Sequence, residues 1–397
     1  MRLGTLNRYL SGHTRTAFRS VLFPGLMAKV LLGMSGGLDS SVAAALLREE
    51  GHDVIGMTIK TYKYEDVGGN KAHDTSCCSL DGINDARRVA GKLGFPHYVT
   101  DMTEEFGREI IDYFTDTYLA GQTPNPCVKC NREIKWAAML RKADALGCEF
   151  IATGHYARLR TEDGRTIISR AADALKDQTY ALWAVRQEHL RRTMFPLQNY
   201  TKAEARTIAE KSGLGLEHKH ESYEICFVTD NDYRRFLRER VGAAVGAHHA
   251  GKEHDAFQDG DFVLNGETVG HHDGVPFYTI GQRKGLGLSI PSHPAPLYVT
   301  GLDVLNHRVM LGDEDDLLSN ELTAHSVNLI KYDSLPSEGL RVTAKIRYKD
   351  AGTNATLWPR EGNRAHVLFD EARRAITPGQ SVVFYEADDL LGGGIIE

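Results

Sequence analysis

The chain has 397 residues, of which 42% are hydrophobic and 25% are charged, and its formal net charge is -6. This length is enough for two or three domains, and the composition is that of a globular protein. Because the chain as a whole is acidic, a polyanionic partner would have to bind local groups of lysine and arginine. No apolar run approaches the length of a membrane span, so a membrane is not predicted among the partners.

The first 27 residues differ from the rest of the chain. They contain four arginines and no acidic residue, and they are rich in serine and threonine, a composition typical of a transit peptide. A phosphate-binding pattern begins directly after Met27, which favours a natural start near this residue. We therefore interpret residues 1–27 as an N-terminal extension and expect a cytoplasmic protein. A transit peptide, and with it a mitochondrial protein, is the alternative.

Residues 29–41 combine a short apolar run, the pattern Ser-Gly-Gly-x-Asp-Ser and the start of a helical run. Strand, glycine turn and helix in this order are typical of a phosphate-binding loop, because glycine permits the tight turn and the new helix presents unpaired N–H groups. No lysine follows the glycines, which excludes the loop that grips a β- or γ-phosphate through lysine. Ser35, Ser40 and Ser41 add hydroxyl donors, and Asp39 could hold magnesium near a pyrophosphate. The pattern resembles the PP-loop of ATP pyrophosphatases.

Strands and helices alternate after this loop. Apolar runs predict further strands at residues 53–59, 96–99 and 149–153, and helical spacing predicts helices at residues 80–93 and 101–119. This alternation predicts an α/β fold with a doubly wound parallel sheet, in which ligands bind beyond the carboxyl ends of the strands.

The second half of the chain has a different composition and a different pattern of predicted strands. Residues 242–275 are rich in Gly, His and Asp and include Asn265-Gly266, a hairpin signal. Short alternating strands are predicted at residues 296–304, 309–311, 341–348, 365–369 and 381–385. Turn signals separate these strands, which predicts a small β-barrel or sandwich.

The six cysteines, in a chain without a clear secretory signal, indicate a reducing compartment where paired cysteines serve metal or redox chemistry more often than crosslinks. Cys127 and Cys130 follow two prolines and precede a helix that we predict to begin near Asn131. A thiol at this place is expected to be favoured as thiolate by the helix dipole and by nearby cations. Cys226 follows 96 residues after Cys130. Cys148 is expected to be a buried apolar side chain.

Six stretches in order resemble the tRNA-specific 2-thiouridylase family, whose members replace the 2-oxygen of the wobble uridine of tRNA by sulfur. They are the PP-loop and residues 123–131, 152–156, 176–180, 225–227 and 278–286. The resemblance implies that ATP, with Mg²⁺, adenylates the uracil 2-oxygen at position 34, and that a cysteine persulfide then supplies sulfur as AMP leaves. It also implies a PP-loop domain, a small central domain and a C-terminal β-barrel, which we assign to residues 28–235, 236–300 and 301–397.

The resemblance implies roles for individual residues as well. Cys130 would be the nucleophile, and Cys226 would carry a persulfide that an outside donor supplies, such as a cysteine desulfurase or a relay protein. The ATP contacts would be Gly33, Met34, Ser35, Gly36, Gly37, Leu38, Asp39, Ser40, Ile59 and Gly154. The contacts with the anticodon loop of tRNA would be Asn125, Pro126, Cys127, His155, Lys176, Asp177, Gln178, Arg347, Tyr348 and Gln380.

Two departures from the family pattern leave alternatives open. Many members carry Asp where this chain has Cys127, and Asp-Ser where it has Glu221-Ser222. Cys127 and Cys130 with Cys226, and also Cys77-Cys78, could ligate an iron–sulfur cluster. A zinc site is less well supported, because no second Cys-x-x-Cys is present. Another PP-loop synthetase or tRNA ligase is the alternative function, although such an enzyme would not need Cys130 and Cys226 together.

Two polar segments receive simpler interpretations. The pairs His248-His249 and His271-His272 are predicted to be exposed loop histidines rather than metal ligands, since their surroundings are polar and rich in glycine. Residues 281–285 form a basic glycine loop, for which a phosphate contact and a simple turn are equally supported.

Overall fold

The computed structural model describes residues 27–62, 80–216, 218–219, 225–243, 257–288, 293 and 295–397. Predictions for residues 1–26, Cys77-Cys78, Glu221-Ser222 and His248-His249 lie outside these ranges. The described residues form an α/β domain with a parallel sheet, a small four-stranded sheet and a closed β-barrel. This architecture confirms the predicted fold class.

The α/β domain is built on five parallel strands. They are β1 (Lys29–Gly33), β2 (Asp53–Lys60), β3 (His97–Asp101), β4 (Phe150–Ala152) and β7 (Thr193–Met194), in the order β3-β2-β1-β4-β7. The side chains of Val30, Leu31 and Leu32 are fully buried, as a strand covered on both faces requires. The carboxyl end of β1 therefore lies between the ends of two neighbouring strands.

Helices pack on both faces of this sheet. In chain order the α-helices are α1 (Leu38–Glu49), α2 (Leu80–Leu93), α3 (Thr103–Phe106), α4 (Asp112–Leu119), α5 (Pro126–Cys130), α6 (Met139–Ala145), α7 (Gln187–Leu190), α8 (Lys202–Lys211) and α9 (Tyr233–Ala243). Val30 and Leu32 pack with α1, α2 and α8, whereas Leu31 packs with α6 on the opposite face. Two π-helical segments, Gly107–Ile111 and Asn131–Ala138, connect α3 to α4 and α5 to α6. In the described part of the chain, none of the helices has the length and apolar character needed to cross a bilayer.

A hairpin of the α/β domain extends the sheet of the barrel. Its strands, β5 (Arg158–Glu162) and β6 (Arg165–Ser169), are joined by Asp163-Gly164, where both residues have the positive φ of a tight hairpin turn. β6 pairs with the barrel through Ser169 and Asp389. The two domains thus share one sheet, which the sequence analysis did not predict.

The small sheet contains the predicted Asn265-Gly266 hairpin. It has the order β10-β11-β8-β9, with β8 (Gly260–Leu264), β9 (Glu267–His272), β10 (Tyr298–Asp303) and β11 (Arg308–Gly312). His271 is exposed and lies 2.9 Å from Asp261, whereas His272 is 3% exposed and packs against Phe262. The prediction of an exposed loop is therefore wrong for His272, because successive residues of a strand point to opposite faces.

The barrel is a closed antiparallel sheet of six strands. They are β12 (Leu318–Leu329), β13 (Leu340–Lys345), β14 (Thr353–Arg360), β15 (Arg364–Arg374), β16 (Ser381–Glu386) and β17 (Asp389–Ile396). The order is β12-β15-β14-β13-β16-β17, and a pairing of β12 with β17 closes the barrel. Its interior is filled by apolar side chains such as Val342, Leu357, Val367 and Phe384.

Asp389 joins the barrel to the hairpin of the α/β domain. Its carboxylate accepts two bonds from the Arg160 guanidinium, at 2.5 and 2.8 Å, and one each from the Ser169 hydroxyl and Lys331 Nζ, both at 2.7 Å. Hydrogen bonds from Arg160 lower the pKa of Asp389 far below its usual value, although burial opposes the shift. The carboxylate is therefore ionised at neutral pH, where it compensates the charges of Arg160 and Lys331.

Candidate active site

The predicted phosphate-binding loop lies between β1 and α1 at the carboxyl edge of the parallel sheet. Gly36 has a φ of +70°, and a Cβ atom there would lie 1.9 Å from the carbonyl oxygen of Gly82, so only glycine fits. The Ser40 hydroxyl accepts from the Ser35 N–H at 3.2 Å and lies 3.3 Å from the Ser35 hydroxyl. Gly37 begins α1 without a side-chain cap, which leaves the first N–H groups of this helix to an anion.

The other predicted ATP contacts end neighbouring strands. Ile59 is the penultimate residue of β2, and Gly154 follows β4. A Cβ atom at Gly154 would lie 2.8 Å from the backbone carbon of Asp39, so glycine permits β4 to approach the first turn of α1 closely. The side chains of Met34 and Leu38 belong to the core, so a contact from either residue would have to come from its backbone. The structure thus places the predicted ATP contacts at one edge of the sheet.

A charged pair that the sequence analysis missed lies at the first turn of α1. Lys202 Nζ donates to both carboxylate oxygens of Asp39, at 2.8 and 3.0 Å, and the Tyr156 hydroxyl donates to Oδ1 at 2.8 Å. Lys202 is 8% exposed and is the first residue of α8, which starts with a capping box. Gln178 holds Tyr156 in place, since its side chain accepts from the Tyr156 N–H at 2.9 Å. The loop, which has no lysine of its own, therefore has an ammonium group from a distant helix beside it.

Cys127 and Cys130 lie inside a helix rather than before one. α5 begins at Pro126, because proline at the first helical position has the required φ and lacks only an N–H that would have no partner there. The predicted start near Asn131 is therefore wrong. Cys127 is exposed in the first turn, and Cys130 is half-buried one turn further on. Asn125 is the N-cap residue, so Cys127 is the thiol closer to the positive end of the helix.

Asn131 anchors the chain directly after Cys130. Its side chain is 2% exposed, and Nδ2 donates to the carbonyl of Ala181 at 2.8 Å, whereas Oδ1 is buried without a hydrogen-bond partner. The π-helical segment begins at this residue, and such segments are frequent at functional sites. Cys130 is thus held at the junction of an α-helical and a π-helical turn.

Cys226 and Cys130 pack against the same hydrophobic cluster. Phe227, which follows Cys226, is 1% exposed and lies edge-on against Phe114 with ring centroids 5.1 Å apart. Cys130, Cys226 and Ile59 are all partly buried against this cluster. The structure therefore places the two predicted catalytic residues against one hydrophobic cluster, against which Ile59 of β2 also packs.

The loop before α5 is held by all three units of the protein. The Thr123 N–H donates to the carbonyl of Pro378 in the barrel at 2.9 Å. The Thr123 hydroxyl donates to the hydroxyl of Thr279, next to the small sheet, at 3.2 Å. Gln380, a predicted tRNA contact, donates from Nε2 to the carbonyls of Thr123 and Pro124, both at 3.1 Å. Gln380 therefore fixes the loop that leads to Cys127 and Cys130.

The remaining predicted tRNA contacts come from two units that touch each other. The Tyr348 hydroxyl of the barrel donates to the backbone carbonyl of Asp177 at 3.1 Å. Arg347 is exposed and donates to the carbonyl of Arg374 at 2.8 Å. Residues 176–178 thus lie next to Tyr348 of the barrel.

His155 is half-buried between two aromatic rings. Its centroid lies 5.5 Å from that of Trp136 and 6.1 Å from that of Phe195, and Nδ1 lies 2.8 Å from the Thr153 hydroxyl. Burial lowers the pKa of His155 well below its usual value, and the charge of Lys135 adds to this effect. The imidazole is therefore neutral at neutral pH, so it can hydrogen-bond a base or a ribose but brings no charge to a phosphate.

The described residues contain no group of three or more His, Cys, Asp and Glu side chains placed to hold a metal ion. Cys127 is exposed, while Cys130 and Cys226 lie against the hydrophobic cluster. This arrangement does not fit an iron–sulfur cluster made from the described cysteines. Cys148 is 3% exposed and burial raises its pKa, as expected of a thiol that acts as an apolar side chain.

Together these features define a class of protein: an α/β nucleotide-binding domain of the PP-loop type, with two cysteines that pack against one hydrophobic cluster and two accessory units. Residues 28–230 match the tRNA methyl transferase HUP domain, residues 252–313 the tRNA methyl transferase PRC-barrel domain, and residues 319–396 the aminomethyltransferase beta-barrel domain. Over 93% of its length the chain is 51% identical to the tRNA-specific 2-thiouridylase MnmA of Amoebophilus asiaticus, 95% of which is covered. It is 50% identical, again over 93% of its length, to the tRNA-specific 2-thiouridylase MnmA of Salinibacter ruber, 94% of which is covered. The chain belongs to the tRNA-specific 2-thiouridylase family.

Proposed function

We propose that this chain transfers sulfur to C2 of the wobble uridine of tRNA, position 34, in a reaction that consumes ATP and releases AMP and pyrophosphate. The observation that carries the proposal is that Ile59, Cys130 and Cys226 pack against one hydrophobic cluster, although they come from three distant parts of the chain. An enzyme that only adenylates its substrate would need no such pair of cysteines. Membership of the family supports the same reaction.

The first step activates the uracil, whose 2-oxygen is a poor leaving group. This oxygen attacks the α-phosphorus of ATP, so that a new O–P bond forms and the bond to the leaving pyrophosphate breaks. The first N–H groups of α1 and the hydroxyls of Ser35 and Ser40 are suited to stabilise the phosphate charge. Lys202 adds an ammonium group at the same turn.

Asp39 is the residue that would hold the magnesium ion that accompanies ATP. Its side chain is 34% exposed, and its Oδ2 accepts one hydrogen bond from Lys202, which leaves acceptor capacity on that oxygen. The ion would neutralise charge on the departing pyrophosphate. The described cysteines do not fit an iron–sulfur cluster, so we derive no step through one.

The second step replaces the activated oxygen by sulfur. An outside donor, such as a cysteine desulfurase or a relay protein, loads Cys226 with a persulfide. In one route the terminal sulfur attacks C2 directly, and Cys130 then attacks Cys226 Sγ and frees the thiolated base. In the other route Cys130 attacks Cys226 Sγ first and releases hydrosulfide, which then attacks C2. In both routes AMP takes the electrons of the C2–O bond, and a Cys130–Cys226 disulfide forms that an external thiol must reduce.

The RNA would lie across the surface that the α/β domain and the barrel share. The target base must leave its stack before its C2 atom can react, and in an unpaired anticodon loop unstacking costs little free energy. Asn125 and Cys127 would face the base at the start of α5, whereas Pro126 is buried and would hold them in place. His155, being neutral, would contact a base or ribose, while Lys176, Asp177, Gln178, Arg347, Tyr348 and Gln380 would line the path of the strand.

Reconstitution tests this function. The purified chain, an unmodified tRNA transcript, ATP, magnesium, a persulfide donor and a reducing thiol are combined, and the tRNA is digested for nucleoside analysis. We expect 2-thiouridine at position 34 and one pyrophosphate per thiouridine from the wild-type chain. Cys226→Ser should release pyrophosphate without forming thiouridine, whereas the matched control Cys148→Ala should retain both activities. Full thiolation by Cys226→Ser would exclude the carrier role, and pyrophosphate release without thiolation by the wild type would favour another PP-loop enzyme.

A further inference from the structure

Lys219 connects the phosphate-binding loop to the chain that leads to Cys226. Its Nζ donates to the carbonyl oxygen of Gly36 at 3.0 Å and to Asp85 Oδ2 at 2.6 Å. Lys219 and Gly36 are 183 residues apart in the sequence, so no local sequence pattern predicts this contact. The Lys219 side chain is 30% exposed, and both bonds are therefore partly shielded from water.

The bond to Gly36 fixes the orientation of one peptide group in the loop. The C=O and N–H of a trans peptide point in opposite directions. Because Lys219 holds the Gly36 carbonyl, the N–H of Gly37 is turned away from Lys219, and it donates to the Ser35 hydroxyl at 3.3 Å. This bond is long, so a phosphate oxygen can replace it. Lys219 thus orients one donor of the loop and places a positive charge behind it.

Helix α2 holds the same stretch of chain from another side. Arg88 and Lys92 donate to the backbone carbonyls of residues 213–214, and Arg88 also bonds Asp85 at 2.9 Å. Burial opposes the ionisation of Asp85, yet the bonds from Lys219 and Arg88 outweigh it and lower the pKa of Asp85 below its usual value. Asp85 is thus a permanent anionic partner for Lys219 at neutral pH.

We propose that Lys219 is a positioning residue for both halves of the reaction, of which the sulfur-transfer half rests on the function proposed above. It orients the loop for the phosphates of ATP, and it fixes the chain seven residues before Cys226 against that loop. Seven residues reach at most about 24 Å when extended. The contact of Lys219 with Gly36 therefore limits how far Cys226 can lie from the phosphate-binding loop. Without the ammonium group, ATP should bind more weakly, and less 2-thiouridine should form per pyrophosphate released.

Three variants test this role. Lys219→Met removes the ammonium group and keeps the length of the side chain, and Lys219→Arg restores a charged donor. Lys92→Met is the matched control, because it loses a bond to Gly213 in the same stretch without touching the loop. ATP affinity is read from the ATP-induced rise in Tm, and coupling is read as 2-thiouridine formed per pyrophosphate released.

We expect Lys219→Met to weaken ATP binding about tenfold, as the loss of one charge-assisted bond does. The ratio of thiouridine to pyrophosphate should fall several-fold in the same variant, Lys219→Arg should recover most of both properties, and Lys92→Met should change neither. Unchanged affinity and ratio in Lys219→Met would overturn the proposal. Equal defects in Lys92→Met would overturn it too, because Lys219 would then only hold its own stretch of chain in place. If the wild-type chain forms no thiouridine, the proposed function fails. The measurement of ATP affinity needs neither tRNA nor a sulfur donor, so it still decides whether Lys219 orients the loop.

Discussion

Replacement of Lys202 by methionine separates the structural from the chemical role of the charged pair at α1. The substitution keeps the apolar body of the side chain but removes the donor to both oxygens of Asp39. Hydrogen bonds to charged groups contribute about 1.5–3 kcal/mol to stability. Because the Asp39 side chain is 34% exposed, we expect the lower end of this range, about 1.5 kcal/mol. For a domain of this size that corresponds to a fall in Tm of about 3–6 °C.

Adenylation should suffer far more than stability. If the Lys202 ammonium stabilises phosphate charge as oxyanion donors do, pyrophosphate release by Lys202→Met should fall about 10²–10³-fold. Lys211→Met is the matched control, since Lys211 is exposed at the other end of α8 and should change neither quantity. A double-mutant cycle with Asp39→Asn measures the coupling of the pair directly. Pyrophosphate release at the wild-type rate with only Tm lowered would show that Lys202 is a structural partner of Asp39 and nothing more.

Affinity for tRNA should weaken as salt rises despite the net charge of -6, because local cations displace counterions from phosphates. Lys176→Ala and Arg347→Ala should each flatten the slope of log affinity against log salt by roughly one unit in filter binding, and unchanged slopes would remove both from the interface. Cys127→Ser should keep substantial thiolation, since Cys127 is exposed and the transfer needs only Cys130 and Cys226; joint loss of activity and of visible absorbance would instead support a cluster. Asp389 has a folded pKa below its unfolded value of about 3.9, so its stabilisation is present above that pH and is lost as pH falls towards the folded pKa. In urea denaturation, the stability difference between wild type and Asp389→Asn should therefore shrink at acid pH, and a difference that is unchanged or larger there would contradict the assignment.

Features that depend on neighbouring residues could be predicted from the sequence. The phosphate-binding loop is such a feature, because its glycines and its helix start lie within a dozen residues. The Asn265-Gly266 hairpin is another, since its turn requires positive φ at both positions and these two residues adopt it readily. The start of α5 differs from the predicted one although the sequence carries the signal: Pro126 directly precedes Cys127, and proline suits the first position of a helix.

Features that depend on distant residues could not be predicted in this way. Lys202 and Lys219 reach the loop from 163 and 183 residues away, and each is one lysine among many in a polar stretch. The hairpin β5–β6 did carry a local signal in Asp163-Gly164, but its pairing with β17 joins parts of the chain about 220 residues apart. Such contacts are set by tertiary packing, which periodicity and propensity do not report.

The turn of the barrel at Gly379 shows how an accessory unit positions the cysteine helix. Gly379 has a φ of +87°, and a Cβ atom there would lie 2.8 Å from the carbonyl oxygen of Thr123, in the loop before α5. Gly379→Ala should therefore push this turn away from the loop, weaken the bonds of Gln380 to Thr123 and Pro124, and lower thiolation. Gly362→Ala is the matched control, because Gly362 has a φ of +72° and a Cβ atom there would meet nothing within 4 Å. Both variants carry the backbone strain of about 1 kcal/mol, so Tm should fall in both, and it should fall further in Gly379→Ala because of the added clash with Thr123. Thiolation should fall only in Gly379→Ala, and equal activity in the two variants would show that the barrel does not position α5.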